Sequence, residues 1–308
     1  MQRIAGWTAV GAALVYIGVK VLWIAGSDAG VRDLHGTTRA AWVADNVVTG
    51  LLGVAAAAVA LAAFRPWGRR LPAWLVVGPM WIGGGLLAPL VVLLPVLAVM
   101  LLFGWYRLPP VDHTEPELAP WVFVVVYGSF VVLGVALIVA LLGYARERFG
   151  AVLRERAPAV SPTRAAQLPL AWFGALLALG LAGLRLVWAA GPGSRDAWMR
   201  LTDAMTALQA VAAAAGLLAI VHGWAPRRPF AVPLLAAWLG AGGLLAAGAL
   251  SMPGILSGDG WAERGLSFPQ YAGVTFLGFV AGGLITVVTA FAAAERGGAV
   301  SWGTSPSR

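Results

Sequence analysis

The sequence predicts an all-α fold, a polytopic transmembrane helix bundle of about eight spans in two parallel four-helix repeats, with both termini cytoplasmic. Three observations predict it: the composition, the spacing of the apolar runs, and the sorting of charge between alternate connections. Of 308 residues, 60% are hydrophobic and 11% charged, and the mean hydropathy is +0.84. A water-soluble domain carries roughly 25% charged residues. A chain this apolar has too few polar groups to cover a surface in water, so the bilayer is its first partner.

A helix needs roughly 20 apolar residues to cross about 30 Å of hydrocarbon at about 1.5 Å per residue. Runs of that kind lie at Ile4–Gly26, Asp45–Phe64, Leu71–Phe103, Ala119–Tyr144, Leu168–Ala190, Asp203–His222, Phe230–Leu250 and Gln270–Ala293. The first begins after Gln2 and Arg3, as a signal peptide would, but it is long, contains Lys20 and lacks an A-x-A cleavage site. It reads as a permanent span. The third is overlong and holds Pro72, Pro79, Pro89 and Pro95. It is either one kinked helix or a span with a re-entrant piece, and its length favours a single crossing.

Charge then orients the chain. One set of connections carries Arg3, Arg65, Arg69, Arg70, Arg146, Arg148, Arg154, Arg156, Arg164, Arg227, Arg228, Arg296 and Arg308 against only Glu147, Glu155 and Glu295. The alternate set holds ten acids, from Asp28 and Asp33 through Asp112, Glu115 and Glu117 to Asp259 and Glu263, against six arginines. Basic connections stay in the cytoplasm. Tryptophans fall near both boundaries, among them Trp7, Trp67, Trp172 and Trp224 inside and Trp23, Trp42, Trp188 and Trp198 outside, as an aromatic belt requires. The net charge of +8 is spread through short gaps and belongs to no nucleic-acid module. Cysteine is absent, which excludes disulfides, thiolate metal sites and cysteine nucleophiles. Arginine in place of lysine, with abundant alanine, glycine and valine, marks a GC-rich bacterial genome and hence a bacterial cytoplasmic membrane.

The two halves resemble each other in order. Gly18-Val-Lys20-Val-Leu-Trp23-Ile-Ala-Gly26 matches Gly183-Leu-Arg185-Leu-Val-Trp188-Ala-Ala-Gly191, and Asp45 and Asp203 each open the next span. Pro66-Trp67-Gly-Arg69-Arg70 recurs as Gly223-Trp224-Ala-Pro226-Arg227-Arg228, Gly83–Ala88 as Ala241–Ala246, and Tyr127-x5-Leu133-Gly134 as Tyr271-x5-Leu277-Gly278. An internal duplication is the economical reading. It divides the chain into a first repeat at 1–144, a cytoplasmic linker at 145–167, a second repeat at 168–296 and a short tail at 297–308. Each repeat has an even number of spans, so both insert the same way up. The K/R-x-x-W-x-x-G pattern of Lys20, Trp23, Gly26 and of Arg185, Trp188, Gly191 resembles stretches in uncharacterised polytopic membrane proteins of high-GC bacteria. The resemblance covers those stretches alone and implies no activity.

Lys20 and Arg185 are the cations placed within spans, at matching sites. A cation at a helix centre costs roughly 2.5–3.5 kcal/mol on insertion scales, which makes it a functional candidate. Each also lies six residues before an outer glycine, about 9 Å at helical rise, within reach of snorkelling. Asp45 and Asp203 are placed as N-caps or as partners of Lys20 and Arg185 at an outer mouth. Thr49 lies one turn below Asp45, and Thr206 and Gln209 descend from Asp203. Together they line two polar vestibules or tie helices by hydrogen bonds. Trp81 and Trp238 sit deep in their spans beside glycine clusters, as packing residues or as a pocket floor.

Asp112-His113-x-Glu115-x-Glu117 is the compact set of possible metal ligands, without the spacing of a known site. It reads as a solvated acidic loop. No phosphate-binding glycine loop, serine elbow, or haem or quinone ligand pair is present, so the sequence predicts no cofactor and favours a non-enzyme. Two functions stand open: a small-solute permease or accessory transport subunit with an outward-facing site for an anionic or zwitterionic solute or lipid headgroup, and a structural or sensory membrane module that binds a protein or lipid partner. An embedded enzyme would need Asp28, Asp33, Asp45 and Asp203 to converge.

Overall fold

A computed structural model describes residues 2–107, 116–154, 163–191, 195–224, 229–257 and 266–303. It contains eight long helices: α1 (Gln2–Ile24), α2 (Arg39–Phe64), α3 (Ala73–Leu102), α4 (Pro120–Arg154), α5 (Arg164–Ala190), α6 (Ala197–His222), α7 (Ala231–Ser257) and α8 (Phe268–Gly303). All eight are long and apolar enough to cross a membrane. Among the described residues the fold is helical apart from a two-stranded antiparallel ribbon, β1 (Val31–Asp33) with β2 (Glu117–Leu118), which the apolar pattern did not announce.

Local sequence explains the helix ends. α2 starts at Arg39 because Thr38 caps it, accepting a bond from the Ala41 N–H at 3.2 Å. α6 starts at Ala197 because Asp196 accepts from the Met199 N–H at 2.7 Å. The expected starts at Asp45 and Asp203 are therefore corrected: each lies inside its helix, two turns past the cap. At the other end of α6, Gly223 takes the left-handed conformation, with φ of 70°, which only glycine adopts without cost. α3 is one continuous helix that absorbs Pro79, Pro89 and Pro95, which decides between the two readings of the third span. α4 continues past Tyr144 to Arg154 with a kink at Phe149 (φ −125°, ψ 17°), so part of the expected linker is helical.

The chain forms two compact units, Met1–Met80 with Leu90–Tyr144, and Trp81–Pro89 with Ala145–Arg308. In the first, α1 packs along α2 where small residues admit large ones. The Gly53 position faces Tyr16 and Ile17, and Gly50 faces Lys20. Trp23, Trp42 and Val122 form a cluster beside the ribbon, with the two indoles 5.1 Å apart.

In the second unit, α5, α6, α7 and α8 pack in a closed cycle, each against the next and α8 back on α5. Its centre is built from alanine: Ala171, Ala175, Ala178 and Ala182 on α5 face Ala207, Ala210 and Ala214 on α6, with Leu181, Leu217 and Ile285 filling between. That spacing of three and four is one helix face. Lipid supplies no hydrophobic drive between helices, so close contact of small residues holds such a bundle. Other bulky apolar side chains of this unit point outward, with Val187 67% exposed, Leu208 61% and Phe291 61%.

Candidate functional site

Arg185 stands near the C-terminal end of α5 and Asp203 two turns into α6. The two helices run side by side, and Arg185 Nη1 donates to Asp203 Oδ1 at 2.7 Å. Arg195, in the segment between them, donates from its Nη1 to the other oxygen, Oδ2, at 2.6 Å. Asp203 is only 2% exposed. A buried carboxylate is tolerated when charge and hydrogen bonds compensate it, and here two guanidinium groups do so. Both guanidinium carbons also lie over the Trp188 ring, at 5.3 Å for Arg185 and 4.7 Å for Arg195. Arg200 fixes the approach of Arg195 by donating to its carbonyl at 3.1 Å and to that of Ala189 at 3.3 Å.

Arg185, Arg195 and Asp203 form one wall of a cavity of about 300 Å³. Trp198, Met199, Leu266 and Val274 supply apolar surface, and Thr202, Ser251, Tyr271 and Thr275 supply hydroxyls. The Thr202 hydroxyl donates to the Met199 carbonyl at 2.8 Å and the Tyr271 hydroxyl to the Ser251 carbonyl at 3.1 Å. Arg185 Nε is buried and has no hydrogen-bond partner among the described residues. The wall thus presents two guanidinium groups on one carboxylate, and in Arg185 Nε a donor without a hydrogen-bond partner among the described residues.

The first unit holds a related but different arrangement. Lys20 Nζ donates to Asn46 Oδ1 at 2.8 Å and lies 5.2 Å from the Tyr16 ring and 5.0 Å from the Trp23 ring. The expected pairing with Asp45 is corrected to Asn46, because neighbouring helix residues point about 100° apart. Asn46 is 2% exposed, whereas Asp45 is exposed. Asn46 Nδ2 donates to the Trp42 carbonyl at 2.7 Å, which fixes its oxygen toward Lys20. Thr49 turns its hydroxyl back to the Asp45 carbonyl at 2.7 Å.

The remaining candidates divide. Thr206 bonds back to the Thr202 carbonyl at 2.8 Å and does not line the cavity. Gln209 is a buried tie: its Nε2 donates to the Gly85 carbonyl at 3.1 Å and to that of Leu239 at 3.3 Å. The descending vestibule below Asp203 is therefore not formed by these two. Trp238 Nε1 donates to the Trp81 carbonyl at 2.9 Å, and Trp81 Nε1 to Thr286 Oγ1 at 3.1 Å, so both indole N–H groups are used in packing.

Arg195, Asn46 and the hydroxyls of Thr202, Tyr271 and Thr275 escaped the sequence reading. A signal for Asn46 existed. Sliding the second span by 157 positions aligns Thr49 with Thr206, Leu51 with Leu208, Val54 with Val211 and Ala55–Ala58 with Ala212–Ala215, and it sets Asn46 on Asp203. Among the described residues no group of three potential metal ligands is close enough to hold an ion. Asp112, His113 and Glu115 lie outside the described residues, and Glu117 receives Arg32 Nη1 at 3.1 Å. Comparison with family models, curated proteins and solved structures found no match to this chain.

Proposed function

We propose that this chain is a multi-pass protein of a bacterial cytoplasmic membrane, of two parallel repeats with both termini inside. Its second unit binds a small anionic or zwitterionic solute, or a lipid headgroup, at an outward-facing site, as a permease or accessory transport subunit. One observation carries this reading: two guanidinium groups share one buried carboxylate on the wall of a cavity of about 300 Å³. That volume lies at the lower end of the range of small-ligand pockets, about 300–1,000 Å³. The basic inner and acidic outer connections support the orientation, and the parallel hydrogen bonds of Lys20 with Asn46 and of Arg185 with Asp203, each from one helix to the next, support the duplication.

Proteoliposomes offered labelled lactate, glutamate and glycerol phosphate test it. At least one should enter faster than into empty vesicles, and Arg185→Gln with Arg195→Gln should remove that uptake. Uptake of none of the three, or uptake indifferent to both substitutions, overturns the permease reading.

A structural or sensory module is the second reading, and a specific observation favours it. The polar groups of Gln209, Trp238 and Trp81 are spent on helix-to-helix ties within the second unit, as in a scaffold. A stoichiometric protein partner retained in mild detergent, with no solute flux, would establish it.

A further inference from the structure

The hydroxyl groups of the cavity narrow the ligand class further, given the proposal that its arginine wall binds an anionic group. All four helices of the closed cycle contribute to this cavity. Arg185 comes from the C-terminal end of α5, Thr202 from the first two turns of α6, Ser251 from the C-terminal part of α7, and Tyr271 and Thr275 from the first turns of α8. Tyr271, Val274 and Thr275 are spaced i, i+3 and i+4, which sets them on one face of α8, and all three line the cavity. The Tyr271 hydroxyl holds that face against α7 by donating to the Ser251 carbonyl at 3.1 Å.

A hydroxyl in an apolar helix commonly spends its proton on a carbonyl one turn back, as Thr206 does on Thr202 at 2.8 Å and Ser129 on Val126 at 2.7 Å. Thr202 does the same on Met199, at 2.8 Å, and its oxygen keeps lone pairs for an incoming donor. Ser251 and Thr275 differ. Among the described residues neither side chain makes a hydrogen bond, although Thr275 is buried and both line the cavity. The space beside the guanidinium groups therefore offers two hydroxyls that donate and accept, and a third that accepts. A hydrocarbon group placed against them leaves them without partners, which costs free energy. A ligand alcohol donates to one oxygen and accepts from another. Water serves the same hydroxyls when no ligand is bound, so an alcohol keeps the bonds that a hydrocarbon group loses on displacing that water. A site lined in this way discriminates against the analogue that lacks the hydroxyl.

We infer that this cavity selects an anion that carries an alcohol group, the arginine wall meeting the charge and the hydroxyls of Ser251, Thr275 and Thr202 reading the alcohol. A free hydroxycarboxylate and the glycerol headgroup of an anionic lipid share that chemistry.

The test follows thermal unfolding of the purified full chain in detergent, at matched ionic strength, with two pairs of ligands that differ in their hydroxyls. Sodium lactate is set against sodium propionate, and micellar phosphatidylglycerol against phosphatidylpropanol. In at least one pair the hydroxylated member should reach a given stabilisation at a concentration about fivefold or more below that of its partner, the ratio that one net hydrogen bond supplies. A preference in the first pair alone points to a free solute, and in the second alone to a lipid. Thr275→Val with Ser251→Ala should equalise the pair, whereas Thr275→Ser, which keeps a hydroxyl, should retain the preference. Arg185→Gln should weaken the response to both members alike. Equal action within both pairs on the wild type overturns the alcohol inference and, where Arg185→Gln still weakens all four responses, leaves the anion site standing. A preference that survives Thr275→Val with Ser251→Ala overturns the assignment to these hydroxyls. No effect of any of the four ligands on the wild type overturns the site and the inference together. Should the double variant fail to fold, the wild-type ratios and Thr275→Val alone still decide.

Discussion

At the scale of single residues, the two intramembrane cations are both held by side chains of the following helix, but with different chemistry. Lys20 has a neutral amide and two aromatic faces, while Arg185 has a carboxylate shared with a second arginine. Replacing Asn46 by Leu removes the acceptor of a half-buried ammonium. Loss of about 1–3 kcal/mol is expected, the penalty for stranding a polar group, read as a lower unfolding temperature in detergent. Asp45→Asn, on the exposed neighbour, should change stability by less than about 0.5 kcal/mol. Equal losses from both would show that Asp45 is the true partner. The Arg185–Asp203 pair was legible in the sequence because both residues are rare charges in apolar runs. Asn46 was not, because a charged neighbour drew attention to the wrong helix face. Arg195 was hidden for another reason: it lies in a connection, where an arginine looks solvated until the fold turns it onto α6.

Among the helices themselves, the apolar runs located all eight spans, yet the starts of α2 and α6 lay about six residues earlier than hydropathy suggested. Hydropathy responds to lipid contact, whereas a helix begins where a side chain satisfies its first N–H groups. Thr38 and Asp196 do so outside the apolar runs. The glycine cluster of α3 shows the same limit, since composition marked Gly83–Gly85 as one packing feature and the fold uses its members unequally. A Cβ at Gly85 would collide with the backbone of Gly242 and Gly243, whereas one at Gly83 meets nothing within 4 Å. Gly85→Ala should therefore destabilise the second unit by about 1–3 kcal/mol, the usual cost of overpacking. Gly83→Ala should be neutral or stabilising by up to about 1 kcal/mol, from helix propensity. Unfolding of the two variants side by side checks this, and equal behaviour would show that α3 does not approach α7 so closely. Trp238→Phe keeps most of the packing but loses the bond to the Trp81 carbonyl. About 0.5–1.5 kcal/mol of stability should go with it, measured in the same assay.

For the molecule as a whole, alanine-rich centres and bulky apolar exteriors leave lipid as the natural surroundings, and eight crossings fix which connections share a side. Ser27 precedes α2 and Ser267 precedes α8. Six helices, α2 through α7, separate them, so parallel repeats place both on the outer face. Arg70 and Glu147 lie an odd number of crossings from either serine and are expected inside. The chain has no cysteine of its own, so single-cysteine variants report without background. In intact cells, a membrane-impermeant maleimide should label Ser27→Cys and Ser267→Cys and should reach Arg70→Cys and Glu147→Cys only after permeabilisation. Labelling of the second pair first would invert the protein and make Asp203 an inward-facing group, moving the proposed ligand to the cytoplasm while leaving its charge unchanged. Labelling that separates Ser27 from Ser267 would be more serious, because an odd number of crossings between them removes the parallel duplication. The match of Lys20 with Arg185 would then be a coincidence of apolar helices, and the comparison between the two cation sites would lose its basis.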